Sequence, residues 1–236
     1  MATAKTRQKI LDTFLTLLGD HAYGDVTPTR LARAAGVKLS VVRECYPSKK
    51  ALVEAFANRV DVAVLDEQAD DMHDQPARDR LFDVLMTRID HLAAHKNAVR
   101  ALMDAVREDP ALALDFNPIA VRSQRWMLEA AGIELTGFKA QVVAQGLALA
   151  FARVLETWLD ETDEGMPRTM ARLDKELDRG EDWVRTLDRL ESATRTLRSA
   201  GGVFRRRRRR SEPDWQTDDW GEPIDEPGAD AAGAAR

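Results

Sequence analysis

TPTRLARAAGVKLSVVRECYPSKKAL, residues 27–52, is the stretch that decides the fold. Thr27 is a strong helix N-cap residue, and Pro28 suits the first helical turn behind it. A short helix is therefore expected from Pro28 to Ala35, with Leu31 and Ala34 facing inward. Gly36 permits a left-handed turn, and Val37 follows it as an apolar anchor. A second short helix is expected over Leu39 to Cys45. Pro47 stops it, and Ser48 caps a longer helix running from Lys49 towards Asp70. Two short helices about a glycine-centred corner are a helix-turn-helix, whose second helix can enter a DNA major groove.

Upstream, Ile10, Phe14, Leu15, Leu17 and Leu18 recur at helical spacing, so Thr6 to Leu18 reads as an amphipathic helix ended by Gly19-Asp20-His21. Charge separates the chain in the same way. Residues 1–60 hold ten Lys and Arg against five acids, whereas residues 61–110 hold twelve acids against six bases. A small basic module at the front of a chain with net charge −5 is the electrostatic footprint that a phosphate backbone rewards.

Residues 6–56 resemble the N-terminal domain of TetR/AcrR-type transcriptional regulators. The resemblance is carried by Thr27-Pro28, by Ala35-Gly36-Val37 and by Tyr46-Pro47-Ser48-Lys49, with Ile10-Leu11-Asp12 and Tyr23-Gly24 upstream. Ser40, Arg43 and Cys45 stand where the family more often has Gly, Tyr, and His or Tyr. The resemblance implies that Lys38, Leu39, Ser40, Val41, Arg43 and Glu44 lie at or near the groove. It also puts Thr27 and Thr29 at a helix N-terminus facing phosphate, and Tyr46 and Lys49 beside the DNA backbone. Phosphate contacts position such a protein, and base-edge contacts specify the sequence.

The remainder reads as helix after helix, giving an all-α fold class. One apolar face contains Leu81, Phe82, Leu85, Met86, Ile89 and Leu92. A shorter helix runs from Ala98 to Arg107 and stops at Asp109-Pro110. Another, carrying Ile119, Trp126, Met127 and Leu128, is expected to begin after Asn117-Pro118. Phe138 to Leu159 is the longest and most apolar helix, but Lys139, Gln141, Gln145 and Arg153 make it a poor membrane span. Met166, Met170, Leu173 and Leu177 form a last helical face, resumed after Gly180 by Trp183, Val184, Leu187 and Leu190. The expected organisation is a head over residues 1–50, a body over 51–200 for ligand binding and dimerisation, and a tail over 201–236. In the family named above, such a body holds a small effector and pairs two chains.

Function classes narrow further. Cys45 is the single cysteine, so no internal disulfide can form, and a reducing, cytoplasmic setting is expected. The N-terminus lacks the apolar core of a signal peptide. His91 and His95 are spaced i, i+4, but no HExxH pattern accompanies them; two polar residues near a helix C-terminus are the simpler reading. The acidic run Asp160, Glu161, Asp163 and Glu164 reads as a solvated loop. With no phosphate loop and no nucleophile elbow, the chain is read as a non-enzyme without cofactor or metal. A greasy effector pocket would draw on Phe82, Met86, Trp126, Leu147, Phe151 and Trp158.

The expected partners are an operator in double-stranded DNA, a small apolar effector and a second copy of the chain. Arg205 to Arg210 are six consecutive arginines, followed by a segment with eight acids and one base. This tail reads as disordered, with the arginines able to touch DNA or anionic lipid. A second resemblance gives an alternative. Phe151 to Asp160 and Met170 to Asp174 are similar to the C-terminal half of the lipid-binding accessory proteins of ubiquinone biosynthesis. That likeness implies the same fold working at a membrane surface without DNA.

Overall fold

A computed structural model describes residues 3–67 and 75–180. The tail, its arginine block and the face from Trp183 to Leu190 lie outside the described residues. The described residues are helical, without a strand among them. The helices are α1 (Ala4–Asp20), α2 (Pro28–Ala35), α3 (Leu39–Cys45), α4 (Lys49–Asp66), α5 (Ala77–Ala93), α6 (Lys96–Glu108), α7 (Pro110–Ala130) and α8 (Gly137–Leu159). A further helical stretch over 167–180, here α9, follows.

The head forms for local reasons. The Thr3 hydroxyl accepts from the backbone N–H of Thr6, so α1 starts two residues earlier than its apolar pattern indicates. Ile10, Phe14 and Leu18 then stack on one face and are almost wholly buried. Burying each such side chain is worth about 1.5–3 kcal/mol. Thr27 caps α2 by accepting from the N–H of Arg30 at 3.2 Å. Gly36 sits at φ 64°, which an L side chain adopts only at a cost. Its turn is closed by Val37 N–H donating to the Ala32 carbonyl at 3.0 Å. Leu31 is buried as expected, but Ala34 faces outward; Ala32 and Ala35 are the small residues that let α2 lie against its neighbours.

The expected boundary at residue 50 falls inside the first turn of α4. Leu52, Val53 and Phe56 of that helix are buried, and so are Val60 and Val64 further along. Several bonds tie head to body. Lys50 pairs with Asp115 at 2.5 Å, and Arg122 with Glu54 at 2.5 Å. The rings of Tyr23 and Phe116 meet edge to face at 5.6 Å.

In the body the break expected at Asn117-Pro118 does not occur. Asp109 caps α7 and Pro110 opens it, and the helix runs unbroken past Pro118 to Ala130. Pro118 has no N–H to give the Leu114 carbonyl. Leu114 is 77% exposed, so that side of the helix faces water. One residue earlier, Asn117 and Gln145 exchange a reciprocal pair of amide hydrogen bonds, both 2.9 Å, which fastens this turn to α8. By length and composition α8 could cross a membrane. Its apolar side instead meets the protein's own core through Leu147, Phe151, Val154, Trp158 and Leu159.

The loop before α9 differs from expectation at one residue. Glu161 is buried, and its carboxylate accepts from the N–H groups of Arg168 and Thr169, both at 2.8 Å, and from the Thr169 hydroxyl. It therefore caps the start of α9 instead of facing solvent. In α9, Leu173 and Leu177 are buried, but Met170 is outward, and Thr169 and Glu176 take inward positions.

Candidate nucleic-acid interface and body cavity

The head presents α3 on its surface. Val42 and Cys45 are the buried side of this helix and hold it against α2. Lys38, Ser40, Arg43 and Glu44 are exposed, Leu39 is 49% exposed, and Val41 is half-buried. The side chains of Lys38 and Arg43 make no hydrogen bond or ion pair with other described residues. Thr27 and Thr29 are exposed at the N-terminal turn of α2. In that turn Pro28 has no N–H and the Arg30 N–H is taken by the Thr27 hydroxyl, so an anion there would meet the Thr29 N–H and the two threonine hydroxyls. The helix thus offers cations, a hydroxyl and one apolar side chain together, the groups that contact phosphate, base edges and the thymine methyl.

Two of the expected interface residues make contacts inside the head. Tyr46 lies in the core, its ring 5.7 Å from the Arg7 guanidinium and its hydroxyl donating to the Arg7 carbonyl at 3.1 Å. Burial raises its phenol above the usual range, against the opposing pull of Arg7. Lys49 is half-buried. Its ammonium sits 4.1 Å from the centre of the Tyr23 ring and donates to the Tyr23 carbonyl at 2.8 Å. Desolvation lowers its pKa, with Asp25 pulling the other way. Both side chains are bound within the head, one to α1 and the other to the turn after it. Through these contacts their motif fastens the corner to the rest of the head.

The body contains a cavity of about 720 Å³ between α5, α7, α8 and α9. Its wall is mainly aliphatic, with Leu81, Leu128, Ile133, Val143, Leu147 and Leu177. That volume accommodates a drug-sized molecule. Of the six apolar candidates only Leu147 lines it. Phe151 and Trp158 are core residues under the cations of Arg88 and Lys96, at 5.8 and 5.1 Å. Phe82 and Met86 are half-buried against the core. Trp126 is 48% exposed on α7.

The charged lining escaped the sequence reading. Arg78, Arg153, Arg172, Arg179 and Glu176 all border the cavity. One signal was present: Arg153 interrupts the most apolar helix, and Arg172, Glu176 and Arg179 recur at helical spacing.

The histidines do not converge. His91 ends α5 beside Glu67 at 3.1 Å, whereas His95 precedes α6 and meets Arg59 at 3.1 Å. Among the described residues, no group of three or more His, Cys, Asp or Glu side chains is placed to hold a metal ion.

Comparison with solved structures identifies the architecture. A TetR transcriptional regulator from Nitrosomonas europaea superposes with a TM-score of 0.59 at 22% identity, covering 74% of this chain and 97% of that one. A TetR transcriptional regulator from Rhodococcus sp. RHA1 gives 0.56 at 19% identity, covering 75% and 96%. No protein-family model and no curated protein matches the sequence. The chain has the TetR-type fold, a helix-turn-helix head on an all-helical body.

Proposed function

We propose that this protein is a homodimeric, ligand-responsive DNA-binding regulator of transcription, acting as a repressor in the cytoplasm. The observation that carries the reading is the surface of α3. Its buried side is used up by Val42 and Cys45, and its outer side combines Lys38, Leu39, Ser40 and Arg43. A helix held this way is rigid enough to read a groove.

The body supports the other half of the proposal. Phe138, Leu149 and Met170 are large apolar side chains left exposed on α8 and α9, which suits pairing with a second copy. The cavity then serves as the effector site. Ligand binding would favour one spacing of the two heads and so shift the population that fits paired half-sites about 34–36 Å apart. The protein is thus a binding protein and not an enzyme. The solved structures it resembles lend no support to the lipid-handling alternative.

Selection of bound duplexes from a random pool, followed by footprinting at stated salt, tests the proposal. A two-fold-related site protected by the full chain is expected. Recovery of no enriched sequence, with a salt-dependent background alone, would overturn it.

A further inference from the structure

We infer that the effector is an apolar anion, whose charged group is received by Arg153 and Arg172 at the Glu176 end of the cavity. The inference rests on the reading of the cavity as an effector site and names the chemistry that the site selects.

Three guanidinium groups converge on one carboxylate. Glu176 is nearly buried, its side chain 3% exposed. Arg153 from α8 meets it at 3.3 Å, Arg172 at 3.2 Å and Arg179 at 3.0 Å. Among the described residues, one negative charge thus faces three positive charges at the end of an aliphatic wall, with Arg172 the most sheltered of the three at 34% exposed against 52% for Arg153 and 57% for Arg179. The nearby aspartates do not correct this. Asp174 and Asp178 bind Arg78, the fourth arginine of the lining, at 2.5 and 2.7 Å. Both are more than half exposed and lie two residues either side of Glu176, hence on the opposite face of α9. Moreover, the Nε of Arg172 is buried without a hydrogen-bond partner among the described residues. A buried donor of this kind is costly until an acceptor arrives. A carboxylate, sulfonate or phosphate meets guanidinium in a forked, charge-assisted geometry that a neutral ligand cannot reproduce. An aliphatic chamber ending in surplus guanidinium therefore selects a molecule that is greasy at one end and negative at the other.

Two fluorescent probes with the same rings separate the contributions: 8-anilinonaphthalene-1-sulfonate, and neutral N-phenyl-1-naphthylamine, which lacks the sulfonate. With the full chain, the sulfonate is expected to bind at least about tenfold more tightly. The double variant Arg153→Gln/Arg172→Gln should erase that preference while leaving the neutral probe unchanged. Glu176→Gln should move the other way and tighten the sulfonate several-fold, because the competing carboxylate is gone. Leu147→Trp, which fills the chamber, should weaken both probes. Circular dichroism and the melting midpoint establish that each variant is folded.

Equal affinity of the two probes in the wild type, or an anion preference that survives loss of both arginines, would overturn the inference while leaving the cavity as an effector site. Indifference of both probes to Leu147→Trp would overturn that site itself, and the inference with it. Footprinting reports on DNA recognition independently of either result.

Discussion

Asp61 of α4 and Arg88 of α5 form an ion pair inside the protein, with side chains only 9% and 7% exposed. Ser123 of α7 donates to the same carboxylate oxygen at 2.6 Å. Three helices thus share one buried charge pair, which joins the helix leading out of the head to the body. Arg88→Met strands the carboxylate and is expected to cost about 3–5 kcal/mol. Asp61→Leu/Arg88→Met removes both charges and should recover much of that loss. Urea midpoints of the single and double variants check this.

On the outer face of α3, Arg43→Ala is expected to weaken binding of the selected duplex. If Arg43 reads a base, the loss is about 1–3 kcal/mol and is confined to one position of the site. Lys38→Ala, at the start of the helix, should weaken all sequences alike and reduce the salt dependence by about one phosphate contact. Titrations at three salt concentrations distinguish the two behaviours.

Lys49 and Tyr23 behave differently. Lys49→Ala should leave the slope of log affinity against log salt unchanged, because its ammonium is already occupied by the Tyr23 ring and carbonyl. The expected cost is about 1–2 kcal/mol of stability from the lost cation–π contact and hydrogen bond. Chemical denaturation of Lys49→Ala, set beside its salt titration, tests both parts.

Glu161 should make stability depend on pH. Desolvation pushes its carboxyl up, but hydrogen bonds from Thr169 and Arg168 and the charge of Arg168 carry it below the ordinary 4.5. A carboxyl lowered by folding stabilises fully above its unfolded value, and the contribution is lost as pH falls through the lowered one. Glu161→Gln is therefore expected to melt earlier than wild type at pH 7. The gap should close as pH drops below about 4.5. Melting curves from pH 7 to 3 give the answer.

The proline inside α7 provides a further test. Pro118→Ala restores a missing N–H and should stabilise the protein by up to about 3 kcal/mol. Asn117→Ala breaks the amide exchange with Gln145 and should cost about 1–2 kcal/mol. Opposite shifts in the denaturation midpoint, one residue apart, are expected.

What the sequence revealed follows the range of the forces involved. The bounds of α2 and α3 were readable to the residue, though not the outward turn of Ala34, because Thr27, Gly36 and Ser48 act within a few positions of themselves. Pro118 misled because the carbonyl it leaves without a donor, that of Leu114, lies on a side of the helix that faces water, which only the packed fold decides. Glu161 looked like surface charge because the N–H groups it caps belong to a helix that the loop itself positions. Tyr46 and Lys49 lie in the most recognisable motif of the chain, yet their partners, Arg7 and Tyr23, precede them by 39 and 26 residues. The cavity was the least legible. Periodicity shows which residues point inward, whereas a void is what remains after all of them have packed. Leu147 borders that void and Phe151, one turn on, does not.

The unbroken course of α4 bears on anyone who would splice this reader onto another chassis. Its 18 residues make a rod about 27 Å long, and a seam placed at residue 50 would cut through the rod's first turn. A working chimera must carry the whole rod, together with the α7 side chains that grip it, or rotate both so that Glu54 still finds Arg122.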